Sequence, residues 1–444
     1  MPEAIRQVLG LRKKQARYGY DDVFVAWVLT SLCGGMRLDH ITKLHKKLSI
    51  IKGLKLPSHD TLGRVLKSMA PEIEKSEVND FKQVRINRTY FADSTRLNRM
   101  LIKASVRCGA LKPGIRYKLD IDATYIPTEC ADSLMGSTSR DTGGFYAMVC
   151  LIDSMPVFIS LRSGNASPNF QITDTLRKCL SILNTNGISV GKVVSDTAGY
   201  NKDLLNFLNE NNIDFNIHAP TNKSHKALFK QIEAHKNWEN IEIESANYFR
   251  DCQVADLNYT MLEQQQSFRM IVARMPSNKK KKQSFTEEDI ARRQFVERKL
   301  ALLASRKMLK NKSKTYLLGT WKEYNGYKYK IIVTNDRKQT PIELLLEYNK
   351  RGGAERKFDF MKNDFGWRLP PFMRLNQNLV FLVAAALANN VFRGMVKEFK
   401  QHIPSLVETQ RLGLFIESFI KVSCNLVDDV FEFLNTDIAY EKIM

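Results

Sequence analysis

A chain of 444 residues with 43% hydrophobic content carries enough apolar material for proper cores in roughly two to four domains, which excludes a disordered protein. With 68 Lys and Arg against 47 Asp and Glu, the formal net charge is +21 and the pI near 9.6, so the expected partner is a polyanion, nucleic acid first and a membrane surface second. The most apolar stretch, Leu379 to Ala388, is about half of the ~20 residues that a membrane-spanning helix needs, so no spanning segment is expected and the membrane is the weaker partner reading.

The opening stretch MPEAIRQVLGLRKKQ is charged throughout and does not read as a secretory leader. Residues 1–112 are expected to form a helical domain. An apolar helix through DDVFVAWVLTSL stops at Gly34-Gly35, and a second fits LDHITKLHKKL. A third begins after Pro57, with Ser58 as N-cap, and runs through LGRVLKSM. Arg64 and Lys67 lie on the outward side of that third helix, within reach of DNA. The arrangement resembles a helix-turn-helix with a longer loop than that motif normally allows, and a small helical bundle with a basic surface fits equally. From Glu72 to Arg107 the chain stays polar, with repeated Arg in RINRTY and STRLNRM, and reads as a connector.

A core unit is expected over 113–220. YKLDIDAT alternates as a strand does, so Asp120, Asp122 and Thr124 share one face and Leu119, Ile121 and Ala123 the other. Carboxylates on a core strand need a compensating cation, because an unpaired buried charge is costly. Two apolar strands, FYAMVCLID and PVFISLRSG, follow with a short turn between them. A helix fits SPNFQITDTLRKCLSIL, the strand ISVGKVVSD ends on Asp196, and a helix from Lys202 to Asn211 leads to the strand IDFNIHA. Three strands, helix, strand, helix resembles the ribonuclease H-like order of a mixed α/β core. On residue type alone, Asp196 also fits a turn or helix cap.

Residues 221–335 differ in character and read as an inserted, partly β domain. The run Lys279 to Lys282 suits a mobile loop, and the capping box Ser284-x-x-Glu287 opens a helix. Asn325-Gly326 joins YLLGTWKEY to YKYKIIVTN as a hairpin. Trp321 on its first strand, flanked by Thr320 and Lys322, fits either a base-stacking platform or packing in the insertion's own core. His225 and His235 have no partner at a metal spacing. The seven cysteines are scattered without a C-x-x-C pair and read as reduced thiols of a cytosolic protein.

The core resumes over 336–400. In YNKRGGAERKFDFMK, Tyr348, Arg351, Glu355 and Lys362 fall at spacings of three, four and seven. On one α-helix, at ~100° per residue, they form a stripe about 60° wide, a carboxylate among two cations and a phenol. Such a face suits a metal ion and phosphates, although a solvated, salt-bridged face has the same spacing. Gly352 and Gly353 each cost such a helix roughly 1 kcal/mol, which points to a close backbone approach there. Pro370-Pro371 then breaks the chain, NQNLVFLVAAALANNVFRGMV reads as a buried helix, and 401–444 as an amphipathic helical segment.

The pattern Tyr-x2-Arg-x3-Glu-x6-Lys resembles, without a mismatch, the region around the catalytic Glu of one large group of bacterial insertion-sequence transposases. These are DDE enzymes with a ribonuclease H-like core. Asp-x-Thr at Asp122 and Ser-Asp-Thr-Ala-Gly-Tyr at Asp196 resemble the family's two Asp segments, and RSGNAS resembles a third. The resemblance implies that Asp122, Asp196 and Glu355 are catalytic and hold two Mg2+ or Mn2+ ions, with Asp120 as the alternative to Asp122. It implies phosphate contacts from Tyr348, Arg351 and Lys362, cleavage at the element's terminal inverted repeats, and joining to target DNA by a homodimer at the bacterial nucleoid. A ribonuclease H-like nuclease or resolvase that cuts without joining, and a non-catalytic DNA-binding derivative, are the alternatives.

Overall fold

The computed structural model describes residues 1–49, 51, 53–80, 85–128, 136–137, 143–220, 226–240, 252–260, 267–276, 322–324, 326–351, 354–368, 370–420, 424–427 and 430–433. The chain divides into two compact units, Met1–Val193 with Arg356–Met444, and Val194–Glu355.

The first unit begins with α1 (Pro2–Leu9), α2 (Tyr20–Leu32), α3 (His40–Leu48) and α4 (His59–Ser68). Ser58 caps α4 by accepting the Thr61 N–H at 3.3 Å, which satisfies one of the donors orphaned at a helix start. The segment 72–107, expected as a polar connector of a helical domain, instead forms β1 (Glu74–Asp80), β2 (Arg85–Asp93) and α5 (Thr95–Arg107). The β-prone run Thr89-Tyr90-Phe91 favours the strand. Phe91 and Ala92 are buried, and β2 pairs antiparallel with β6.

Next come β3 (Arg116–Pro127), β4 (Gly136–Ser137), β5 (Gly143–Ile152), β6 (Met155–Ser163), α6 (Ile172–Thr185) and β7 (Ser189–Ser195). Their sheet runs β1-β2-β6-β5-β3-β7, with β4 beside β5. The turn between β5 and β6 is tight, with Asp153 at φ 54°. Every residue of β6 is buried, as a central strand covered on both faces requires.

In the second unit the chain forms α7 (Lys202–Glu210), β8 (Asp214–His218), α8 (Lys226–Ala234), β9 (Glu239–Asn240), β10 (Gln253–Thr260), β11 (Ser267–Pro276), β12 (Lys322–Tyr324), β13 (Tyr327–Thr334) and α9 (Pro341–Lys350). The order is β8-β13-β11-β10-β9, and β12 pairs with β13. The strands of 221–335 therefore pair with β8, through Ile332 opposite His218 and Val333 opposite Ile217. The expected hairpin is present as Tyr324 opposite Tyr327 with Gly326 at φ 77°; Asn325, Trp321, Lys279 to Lys282 and the Ser284 capping box lie outside the described residues.

The chain then forms α10 (Ala354–Asp364), α11 (Leu375–His402), α12 (Leu412–Phe415), β14 (Cys424–Val427) and β15 (Val430–Phe433). Helix α11 is the core of the first unit, packed against α2, α5 and β6. Trp27 meets Phe381 at a ring separation of 5.3 Å. The amides of Asn389 and Asn390 donate to the carbonyls of Ser154 and Pro156, which satisfies polar groups in an otherwise apolar interior. By length and composition α11 is apolar enough to cross a membrane, contrary to the sequence expectation, but 89% of its apolar window is buried inside the fold. The segment 401–444, expected to be helical, contains the antiparallel pair β14–β15; the β-branched and aromatic residues of NLVDDVFEF around Asp428-Asp429 favour a hairpin.

Candidate active site

Strand β3 carries the first acids. Asp120 lies opposite Leu151 and Asp122 opposite Val149 on β5, so both side chains leave the same face of the sheet while Leu119 and Ile121 are buried on the other. Their surroundings differ. Asp120 is 3% exposed, and the ammonium of Lys357 on α10 sits 3.5 Å from its carboxylate. Asp122 is half-buried, and its Oδ1 accepts the Ala123 N–H at 2.8 Å. Lysine thus offsets the buried charge of Asp120, while Asp122 occupies the more open position on the same face.

Asp196 follows the end of β7 and caps a short 3-10 turn, Thr197–Gly199. Its Oδ1 accepts the Ala198 N–H at 2.9 Å, and its carbonyl accepts the Gly199 N–H at 3.1 Å. The capping geometry open to an Asp in that context is therefore realised, with the side chain half-buried. Gly199 is required there, because a Cβ would come within 2.5 Å of the Ser195 side chain. Tyr200 then hydrogen-bonds the Tyr259 hydroxyl on β10, and burial, followed by that bond, pushes the Tyr200 phenol well above its usual range. Asn201 starts α7 by accepting the Asp203 N–H at 2.8 Å.

The Tyr348 to Lys362 stretch is two helices rather than one. A capping box of Thr340 and Glu343 starts α9, which ends at Lys350 with Arg351 as its half-buried cap; α10 starts at Ala354, and Gly352-Gly353 lie outside the described residues. The double glycine weakens helix propagation at the point where the helix ends. Tyr348 and Arg351 therefore stand on α9 and its cap, and Glu355 and Lys362 in the first and last turns of α10. The Glu355 side chain is outside the described residues, and Lys362 is half-buried. Asp196, Tyr348, Arg351 and Glu355 belong to the second unit, Asp122 and Lys362 to the first.

Tyr348 is 7% exposed, and its hydroxyl donates to the Ser195 carbonyl at 3.1 Å. The His218 ring stacks on it at 6.0 Å, and the Lys330 ammonium lies 5.1 Å from the ring centroid while donating to the Asn349 side chain. Burial first, and then the nearby Arg351 charge, pushes the Lys330 amine down to about 8. Neither Lys330, Lys357 nor His218 stood out in the sequence. Lys330 sits in the alternating run YKYK that reads as solvent-facing, and only the central place of β13 buries it. On α4, Arg64 is exposed and tied to the Asp60 carbonyl and Thr61 hydroxyl, while Lys67 is exposed and lies 5.3 Å from the Phe372 ring.

Among the described residues, no three His, Cys, Asp or Glu side chains gather as a metal-holding group. The donor set named by the motifs, two Asp and one Glu, is all carboxylate oxygen, the chemistry that hard divalent cations take. Asp122 and Asp196 each accept one backbone N–H, which restrains the orientation of the carboxylate.

No curated protein matches this chain. Among solved structures, it is similar to a piggyBac transposase synaptic complex with hairpin DNA at 9% identity and a TM-score of 0.41, covering 99% of this chain and 80% of that one. Residues 113–391 match the family model of the transposase DDE domain, a span that runs from just before β3 into α11 and includes Asp122, Asp196 and Glu355. The chain belongs to the DDE transposase family.

Proposed function

We propose that this protein is a DNA transposase that binds the terminal inverted repeats of an insertion sequence, cleaves at them and joins them to target DNA. The observation that carries the reading is the transposase DDE domain match over 113–391, with Asp-x-Thr at Asp122, Ser-Asp-Thr at Asp196 and the Glu355 motif inside it. The strand order β6-β5-β3-β7 with α6 before β7 supports a ribonuclease H-like core, in which Asp122 lies on the first strand and Asp196 follows the fourth. The net charge of +21 supports DNA as partner.

Asp122, Asp196 and Glu355 would hold two magnesium or manganese ions. Bound there, the ions supply the charge that activates an attacking water or 3′-hydroxyl and offsets the leaving oxygen. The protein's own groups hold and orient the DNA. Arg351 and Lys362 contact phosphates next to the acids, and Arg64 and Lys67 contact the duplex further along the end; such contacts set register and read no bases. Trp321 is the candidate platform for a base drawn from the stack, with packing in the insertion's own core as the alternative. The protein acts as a homodimer on DNA in the bacterial cell.

The test is a duplex carrying the inverted repeats that flank the reading frame, incubated with protein and Mg2+. Nicked and joined products are expected from the wild type. Asp122→Asn, Asp196→Asn and Glu355→Gln are expected to bind the end and leave it uncut. Cutting without any joined product would reassign the protein as a nuclease, and a wild type that binds ends but never cuts them would remove the enzymatic reading.

A further inference from the structure

We infer that Tyr348 is a positioning residue, whose hydroxyl holds the end of β7 through the Ser195 carbonyl and so fixes the turn that presents Asp196. The inference rests on the transposase reading for its functional consequence, and on the geometry of the second unit for its structural part.

Tyr348 leaves α9 on the face that packs against the sheet. It shares a buried cluster with Leu344 and Leu345 of the same helix and with Ile271, Ala273 and Ile332 of β11 and β13. On the other side of the hydroxyl, Ser195 is fully buried and is the last residue of its strand, and its carbonyl accepts the Tyr348 proton. Asp196 is the next residue. Its carboxylate accepts the Ala198 N–H, and Gly199 of the same turn packs closely on Ser195, so a shift of the Ser195 peptide carries the turn and the carboxylate with it.

In this structure the phenol donates to the Ser195 carbonyl, where the motif resemblance implies a phosphate contact. A tyrosine hydroxyl has one proton to donate, and a phosphodiester oxygen only accepts. With the proton committed to Ser195 and the ring enclosed by His218 and Lys330, the group is used inside the protein. Lys330 adds a further tie, because the same ammonium that lies over the ring bonds Asn349, the next residue of α9. Within the second unit, the helix that leads to Glu355 is thereby tied to Ser195, next to Asp196, and to β13.

The test uses Tyr348→Phe in the full chain, which keeps the ring and removes the hydroxyl. Amide exchange in peptides spanning 195–201 is expected to speed up roughly fivefold, the factor for one buried hydrogen bond, while exchange in α5 and α11 stays unchanged. On an end duplex, the Mg2+ concentration for half-maximal cleavage is expected to rise by a similar factor, and the end-binding Kd without metal to stay within about twofold. Tyr348→Leu, which also removes the ring contacts, should show the larger exchange change. Unchanged exchange at 195–201 in both variants overturns the inference whether or not the wild type cuts DNA. So does a Tyr348→Phe protein whose only defect is weaker end binding at unaltered Mg2+ dependence. A wild type that never cuts, with exchange accelerated in the variants, keeps the clamp and removes the functional reading alone.

Discussion

The two acids of β3 separate in one experiment. Lys357→Met removes the ammonium 3.5 Å from Asp120, a pair whose side chains are 22% and 4% exposed. At an effective dielectric of ~20 the Coulomb attraction at that distance is about 5 kcal/mol, and stranding one partner of a buried pair costs ~3–5 kcal/mol. Partial exposure of the lysine places the expected destabilisation near the lower end, about 3 kcal/mol. Asp120→Asn on its own strands the lysine, which can reach water, and should cost less, about 2 kcal/mol. Combined with Lys357→Met it should recover a coupling of about 2 kcal/mol, because neither charge then remains. Asp122→Asn keeps an oxygen for the Ala123 N–H and should change stability by less than about 1 kcal/mol while abolishing cleavage. Urea unfolding followed by tryptophan fluorescence measures all four variants, since Trp27 and Trp367 are fully buried in the same unit. The reasoning is refuted if Asp120→Asn leaves stability untouched and stops cleavage while Asp122→Asn cuts normally. The metal-holding role would then pass to Asp120.

Lys330 has its amine depressed to about 8 in the folded protein, against ~10.4 unfolded, so between pH 8 and about 10.4 the unfolded chain binds more protons and stability rises with pH. Its penalty is fully present below pH 8. Lys330→Met should flatten that rise relative to wild type and gain about 1–3 kcal/mol at pH 7, less what is lost with the Tyr348 and Asn349 contacts, as read by denaturation at each pH. Arg351→Ala and Lys362→Ala should each lower the salt slope of end binding by about 0.9, and Arg64→Ala or Lys67→Ala by a similar amount; filter binding across a salt series checks this, and unchanged slopes would remove the phosphate contacts assigned to them. Chelation of divalent ions should stop cleavage while leaving end binding in place, and added Mg2+ should restore it.

Much of the core was legible as local pattern. Period-two alternation placed Asp120 and Asp122 on one face of β3, an apolar run led β7 to Asp196, and Ser58 marked the start of α4, because each is decided by residues within a few positions. The motif words did the same for family membership. Spacing could not decide which side of a helix meets the sheet. At ~100° per residue Tyr348 lies as near to Leu344 as to Arg351, and only packing against β11 and β13 turned it inward, away from solvent. Nor could it separate Asp120 from Asp122, since the lysine that distinguishes them is remote in the chain and enters from α10. The strands β1 and β2 were likewise hidden, because their polar residues pair along a sheet edge where alternation is weak. Burial, unlike helix and strand propensity, is a property of contacts between distant segments. The candidate acids could therefore be named from local pattern, whereas the partner that Asp120 and Tyr348 each take was decided by which distant groups the fold brought against them.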